Sequence, residues 1–305
     1  LILSETCTRP DSTPPPLQGH VLAHFSHSTL AAGGQGRGGV ALYVTPSLVG
    51  RTGIWGDAHV GGGVAAWVRV QGVLDRPLHI AACYVPPGLP AAGLGQFFGH
   101  LCRDVLRARE AGYVAVGGDF KVRTGAAVEG DVGDGELSAS ILPHIGERIS
   151  VDTTLNAQGR ALLGMCQEGG LWIVNALLPG DVPGQWTYHS IQNAGAASVV
   201  DDFLLDADLL GVAGATLSVQ PPEQCLDHTA IVLTLGEGAC LPADTSASGA
   251  GPSSAGAEYI VDPSLLPAFT AAVEARGEAW ERLTAQASQA GSPASLDALG
   301  LSLMR

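Results

Sequence analysis

Three acidic residues and a histidine stand at, or just beyond, the ends of predicted β-strands, where catalytic groups of α/β proteins collect. Glu5 and Asp119 each follow a predicted strand, and Asp227-His228 precedes the last one. Taken singly, a strand-end aspartate is usually a cap or a turn residue. Because an unpaired buried carboxylate is costly, three acids in such places suggest that they neutralise a shared cation. Carboxylate oxygens suit Mg²⁺ or Mn²⁺, and histidine can titrate near neutral pH.

Short apolar runs that alternate with helical stretches must position these residues. Runs of Val, Ile and Leu bounded by Gly, Pro or Asp predict strands, and apolar residues three and four apart predict helices. Several strands are apolar throughout, so we expect sheets covered by helices. The predicted strands are Leu1–Leu3, Gly39–Val44, Val64–Val70, Leu78–Val85, Tyr113–Gly117, Leu171–Asn175, Ser198–Leu205 and Thr229–Leu235, and the predicted helices are Leu94–Ala111 and Gly159–Gly169.

The composition restricts the class of protein. The 305 residues carry 15 basic and 29 acidic side chains, a formal charge of −14, which excludes a broad basic surface for nucleic acid but not a small local patch. No apolar run approaches the roughly 20 residues of a membrane span, so we expect no membrane partner. Six scattered cysteines without a C-x-x-C pair indicate reduced thiols in an intracellular protein.

Changes of composition along the chain predict three regions. We expect one domain over residues 1–236, with a truncated N-terminus. A flexible linker rich in Ala, Ser and Gly is predicted over 237–258. Residues 259–305 predict an amphipathic helical segment that begins a further region.

Six short motifs occur in a fixed order along the first region. They are S-E-T, G-G-V-A-L-Y-V, Y-V-P-P, G-G-D-F, S-V-V-D-D-F-L-L and L-D-H. This series resembles the endonuclease/exonuclease/phosphatase family, and most of all the apurinic-like endonuclease domains of non-LTR retrotransposons. The resemblance implies a four-layer α/β sandwich, in which two packed mixed sheets are flanked by helices, and an enzyme that hydrolyses phosphodiester bonds with Mg²⁺ or Mn²⁺.

The resemblance also implies roles for individual residues. Glu5 matches the metal-binding glutamate, and Asp227 matches an aspartate placed beside the metal. Asp119 matches the aspartate that positions or deprotonates the attacking water, and Tyr84 matches the tyrosine that approaches the scissile phosphate. His228 matches the histidine that contacts and polarises that phosphate. Asp201, predicted inside a strand, matches the aspartate that orients this histidine.

One motif position departs from the family pattern. The asparagine expected two residues after Asp119 is Lys121, the only lysine of the chain. An amide can donate and accept hydrogen bonds, whereas an ammonium only donates. Lys121 could bind the substrate phosphate, could occupy the position of the cation and impair the enzyme, or could point to solvent. Arg123, four residues from Asp119, is a further candidate for phosphate binding.

Three functions are compatible with these motifs. The first is a metal-dependent endonuclease that nicks DNA, with nuclear access and a downstream reverse transcriptase region in the same polyprotein. The second is a catalytically inactive relic or binding module with the same fold. The third is a phosphatase or phosphodiesterase that acts on a phosphoinositide or a phospholipid, using the same chemistry on a smaller substrate.

Overall fold

The protein is described from a computed structural model. The described residues are 1–8, 12–27, 29–30, 36–127, 148–190, 193, 195–212, 214–221 and 227–236. The linker predicted over 237–258 and the helical segment predicted over 259–305 lie outside these residues. Among the helices of the described part, none has both the length and the apolar character that crossing a membrane requires.

Fifteen strands and three α-helices are formed by the described residues. The strands are β1 Ile2–Ser4, β2 Val21–Ser26, β3 Thr29–Leu30, β4 Gly36–Arg37, β5 Val40–Val44, β6 Thr52–Val60, β7 Gly63–Val70, β8 Leu78–Tyr84, β9 Tyr113–Asp119, β10 Leu171–Ile173, β11 Tyr188–His189, β12 Ala197–Ser198, β13 Asp201–Asp206, β14 Thr216–Val219 and β15 Ile231–Thr234. The helices are α1 Ala91–Ala111, α2 Ala157–Gly169 and α3 Ala207–Val212, and a short 3₁₀ helix covers Pro46–Arg51.

A six-stranded mixed sheet forms the centre of the fold. Its strand order is β10-β13-β9-β8-β7-β6, and only β8 and β9 run parallel. Helix α1 connects these two strands, as a parallel pair requires. Successive residues of each strand point to opposite sides of the sheet. In the central strands both sets of residues are mostly apolar, so each face of the sheet is apolar. Trp67 and Val114, on one face, are packed with Phe97 of α1 and Leu162 of α2.

The opposite face of this sheet is covered by a second layer of strands. The three-stranded antiparallel sheet β1-β5-β2 contributes Val40 and Leu42, which pack against Val64 of β7 and Tyr84 of β8. The hairpin β14–β15 packs beside it, with Leu217 in contact with the cluster of Tyr113 and Leu205. The predicted α/β sandwich of packed sheets with flanking helices is therefore confirmed.

One difference from the predicted elements affects the site, and a second lies at the far edge of the central sheet. Strand β13 begins at Asp201, three residues later than predicted, so Asp201 lies at the start of a strand and not inside it. The reason is that the hydroxyl of Thr187 accepts the backbone N–H groups of Val200 and Asp201 in place of a neighbouring strand. Strand β6 was not predicted, since its sequence T-G-I-W-G-D-A-H-V lacks an apolar run and it lies at the edge of the sheet.

Candidate active site

Three of the predicted site residues lie side by side across neighbouring strands. Tyr84 of β8 is paired with Asp119 of β9, and Asp119 is paired with Asp201 of β13. Residues that are directly opposite in a ladder project from the same face. That face is the one covered by the second layer of strands, because Tyr84 belongs to the core between the two sheets. The end of the central sheet thus directs all three side chains toward the smaller sheet.

Glu5 approaches these residues from the smaller sheet. It directly follows β1 and has a left-handed backbone with φ 53°. Its Oε1 atom accepts a 2.6 Å hydrogen bond from the hydroxyl of Tyr84, although 42% of its side chain is exposed. Burial, together with this bond to Glu5, raises the pKa of Tyr84. Tyr84 therefore keeps its proton and acts as a hydrogen-bond donor.

Asp119 is held in a tight turn at the end of β9. Its Oδ1 accepts the backbone N–H of Lys121 at 3.1 Å, and Lys121 is left-handed with φ 49°. The preceding Gly118 has no space for a side chain, since a Cβ there would collide with the backbone of Cys83 in β8. Only 2% of the Asp119 side chain is exposed. Burial and the negative charge of Asp201 raise the pKa of Asp119 to about 7, against the opposing effects of Lys121 and His228.

His228 forms a pair with Asp201. The Nδ1 atom lies 2.8 Å from Oδ2 of Asp201, so Nδ1–H donates and Nε2 faces the cluster. The ring packs edge-on against Tyr188, with 5.0 Å between ring centroids. Burial acts to lower the pKa of His228, but the hydrogen bond and the charge of Asp201 outweigh it, and the pKa is raised. The carboxylate of Asp201 therefore favours the protonated form of His228.

The ammonium of Lys121 lies at the centre of the cluster. Its Nζ is 2.8 Å from Oδ2 of Asp119, 3.0 Å from Nε2 of His228 and 3.8 Å from Oε1 of Glu5. The ring of Tyr188 lies below it, with 5.5 Å between Nζ and the centroid. Burial acts to lower the pKa of Lys121, but the carboxylates, Asp119 first, raise it above its ordinary value. Lys121 is therefore a fixed positive charge.

The same residues are the candidate ligands of a cation. Atoms of Glu5, Asp119 and His228 lie within 4.8 Å of one another, and carboxylates with an imidazole are donors that Mg²⁺ or Mn²⁺ accepts. Oδ2 of Asp119 and Nε2 of His228 are 3.9 Å apart. An ion that bridged them at its usual bond length of roughly 2.1 Å would lie within about 3 Å of the ammonium of Lys121. With Lys121 in this position, the donors do not fit a divalent ion.

Two side chains that the sequence analysis did not assign hold Asp201 in place. The hydroxyl of Thr187, fully buried, accepts the backbone N–H of Asp201 at 3.1 Å. The amide of Asn175, also buried, donates to the carbonyl oxygen of Asp201 at 3.0 Å and accepts the N–H of Phe203 at 2.8 Å. Their signal in the sequence was a polar residue next to apolar runs, which does not by itself indicate a role.

Two predicted site residues lie outside this cluster. Arg123 donates from Nε and Nη2 to the two carboxylate oxygens of Asp152, at 2.8 and 2.6 Å. Its guanidinium is thus bound within the protein by a buried acid. Asp227 precedes His228, and its carbonyl oxygen accepts the N–H of His189, but within the described residues its carboxylate is not part of the three-ligand group. The contacts join Glu5, Tyr84, Asp119, Lys121, Asp201 and His228.

No protein-family model matches the chain, and no curated protein matches its sequence. Among solved structures, the chain is similar to the endonuclease domain of TRAS1, a telomere-specific non-LTR retrotransposon, with 18% identity, a TM-score of 0.45, and 72% of this chain and 81% of that chain covered. It is similar to the 3′–5′ exonuclease NExo from Neisseria meningitidis, with 14% identity, a TM-score of 0.48, and 77% and 88% covered.

A third similar structure is the catalytic domain of APE2 from Xenopus laevis, with 15% identity, a TM-score of 0.47, and 77% of this chain and 83% of that chain covered. At these identities the likeness is one of fold. The roles of individual residues rest on the contacts within this chain.

Proposed function

We propose that this protein hydrolyses phosphodiester bonds in DNA. The observation that carries the proposal is the meeting of six polar side chains from distant parts of the chain at one end of the sheet sandwich, in direct contact with one another. They combine carboxylates, an imidazole, a phenol and an ammonium: Glu5, Tyr84, Asp119, Lys121, Asp201 and His228. Such a set provides a proton acceptor together with donors for an anionic phosphate.

The reaction divides one water molecule between two products. Asp119, whose pKa of about 7 leaves it partly ionised at neutral pH, accepts a proton from the water that attacks phosphorus. Lys121 donates to the phosphate oxygens and offsets the charge that develops there, and His228 donates from Nε2 once this nitrogen is protonated and no longer accepts from Lys121. The bond from phosphorus to one ester oxygen breaks, and that oxygen takes up a proton from solvent. Asp201 acts only through His228, by fixing the orientation of its ring.

The more specific predictions from the motif series, on the kind of cleavage, the location and the cofactor, belong to the same proposal. The motif series favours nicking of DNA, with nuclear access and a reverse transcriptase region downstream in the same polyprotein. Mg²⁺ or Mn²⁺ is the cofactor that the resemblance implies, with Glu5 and Asp227 beside it, whereas the candidate donors that lie together in the described residues are those of Glu5, Asp119 and His228. These donors do not fit such an ion while Lys121 lies between them, so the proposed reaction uses side chains of the protein alone.

Nicking of supercoiled plasmid tests the proposal. We expect nicked circles with the wild-type protein, with and without added Mg²⁺, and a loss of about 10³-fold in Asp119→Asn and of at least about 10²-fold in His228→Ala. Asp208→Asn is the control, because Asp208 lies at the surface in an ion pair with Arg76, and we expect its rate to equal that of the wild type. Nicking that survives both site substitutions would exclude the proposal.

A second candidate function is DNA binding without turnover. It is favoured by the 2.8 Å ion pair between Lys121 and Asp119, which engages the proposed base. In that case, wild-type protein shifts DNA in a gel but nicks it no faster than buffer. Lys121→Asn, which frees Asp119, would then acquire nicking in the presence of Mg²⁺.

A further inference from the structure

The position of the single lysine has a consequence for how the site handles anions. Nζ of Lys121 contacts two of the three candidate ligand residues within hydrogen-bond distance, Asp119 at 2.8 Å and His228 at 3.0 Å. The third, Glu5, is at ion-pair distance, 3.8 Å. An ammonium has three N–H donors. Nε2 of His228 accepts one of them, and Oδ2 of Asp119 lies at ion-pair distance, so the ammonium can also donate to a further acceptor such as a phosphate oxygen.

The ammonium is fixed in this place by its surroundings. The Lys121 side chain is only 16% exposed. Its backbone is bent into the left-handed region and tied by the N–H to Oδ1 of Asp119, so the side chain turns back toward Oδ2 of the same carboxylate. Tyr188 adds an aromatic face, which attracts cations. Movement away from the cluster would lose all these contacts.

The charge of the cluster requires a cation at this point. Glu5, Asp119 and Asp201 bring three carboxylates together, two of them within the contact range of one ammonium. A phosphate could not approach these carboxylates unless a positive charge lay between them and the incoming oxygens. Lys121 supplies that charge from the chain itself.

We infer that the ammonium of Lys121 takes the place of the divalent cation in this site, so that the protein binds phosphate groups without a metal ion. This inference deepens the proposed function and rests on it only for the identity of the substrate. It defines Lys121 as a catalytic residue that contacts the phosphate. The lysine at the position of the motif asparagine then replaces the divalent cation with an ammonium, and the site is kept.

Binding of Mn²⁺, followed by electron paramagnetic resonance, tests the inference without any activity measurement. Lys121→Asn removes the ammonium, and asparagine tolerates the left-handed backbone. We expect this variant to bind Mn²⁺ at least tenfold more tightly than the wild type. Lys121→Arg, which keeps the charge, is the matched control and should resemble the wild type. Equal Mn²⁺ affinity in the wild type and Lys121→Asn would overturn the inference.

Binding of inorganic phosphate in EDTA provides the complementary measurement. The wild type should bind at least tenfold more tightly than Lys121→Asn, and Lys121→Met should match Lys121→Asn. Phosphate binding that is the same in all forms would contradict the inference.

The plasmid assay separates this inference from the proposed function. Wild-type nicking in EDTA supports both. Wild-type nicking that requires Mg²⁺ overturns the inference and leaves the proposed function intact. No nicking under any condition, with tighter Mn²⁺ binding in Lys121→Asn, supports the inference and contradicts the proposed function.

Discussion

Two carboxylate–cation pairs have cations that are close in the sequence, but the pKa values of their carboxylates are shifted in opposite directions. Lys121 pairs with Asp119 at 2.8 Å, and Arg123 pairs with Asp152 at 2.6 Å. Both carboxylates are buried. Yet the pKa of Asp119 is raised, first by burial and then by the charge of Asp201, whereas the pKa of Asp152 is lowered, because the bonds from Arg123 and the backbone outweigh burial.

The difference arises from the groups that surround each acid. Asp152 accepts two bonds from Arg123 and one N–H each from Thr154 and Val199, so its negative charge is satisfied. Among the described residues, Asp119 accepts one backbone N–H, from Lys121, and a second acid, Asp201, lies nearby. A buried carboxylate with donors for its charge stabilises the fold. A buried carboxylate with few donors and a raised pKa can take up and release a proton, which is typical of catalytic groups. This contrast supports a structural role for Arg123 and agrees with the catalytic role that we propose for Lys121.

The largest expected effect is on activity. Asp119→Asn should reduce plasmid nicking by about 10³-fold, because an amide does not accept the proton of water. Its free energy of unfolding at pH 7, from urea titration, should equal or exceed that of the wild type, since the fold disfavours the charged form of Asp119. A free energy of unfolding of Asp119→Asn clearly below that of the wild type would show that Asp119, like Asp152, stabilises the fold.

The second effect is on stability. Asp152→Asn should lower the free energy of unfolding by about 3 kcal/mol, because it breaks a buried, bidentate pair and weakens two backbone hydrogen bonds. The same urea titration measures it. If this substitution reduced nicking at temperatures where the variant is fully folded, Arg123 and Asp152 would belong to the site after all.

How much of this arrangement was predictable depends on the range of each interaction. The strand-end positions of Glu5 and Asp119 follow from local apolar runs. The ion pair between Arg123 and Asp152 does not, because it joins loops 29 residues apart. The motif order suggested that His228 and Asp201 act together. The position of Lys121 could not be derived, since it depends on a left-handed backbone at a residue that rarely adopts one.

A smaller effect is expected at the support of Asp201. Thr187→Val should lower the free energy of unfolding by about 2 kcal/mol, because it leaves two buried backbone N–H groups without their acceptor. Thr45→Val is the matched control: Thr45 is exposed, and within the described part of the chain its hydroxyl bonds to Ser47, so its change should stay within about 0.5 kcal/mol. Equal changes in both variants would show that Thr187 does not hold Asp201.

The smallest expected effect is on the pH dependence of the free energy of unfolding. The folded pKa of Asp152 lies below its ordinary value of 3.8, so its stabilising contribution is complete above that value and is lost as the pH falls through the folded pKa. The difference in free energy of unfolding between the wild type and Asp152→Asn should therefore narrow as the pH falls from about 5 to about 3. A difference that stays constant would mean that the charge of Asp152 does not stabilise the fold.

The most direct measurement uses the fact that Lys121 is the only lysine of the chain. Protein labelled with ¹⁵N-lysine has a single side-chain ammonium resonance in its NMR spectrum. We expect a resonance that exchanges slowly with water, that shifts in Asp119→Asn, and that shifts again when inorganic phosphate binds. A resonance with the position and fast exchange of a solvent-exposed lysine, unchanged by that substitution and by phosphate, would contradict this expectation.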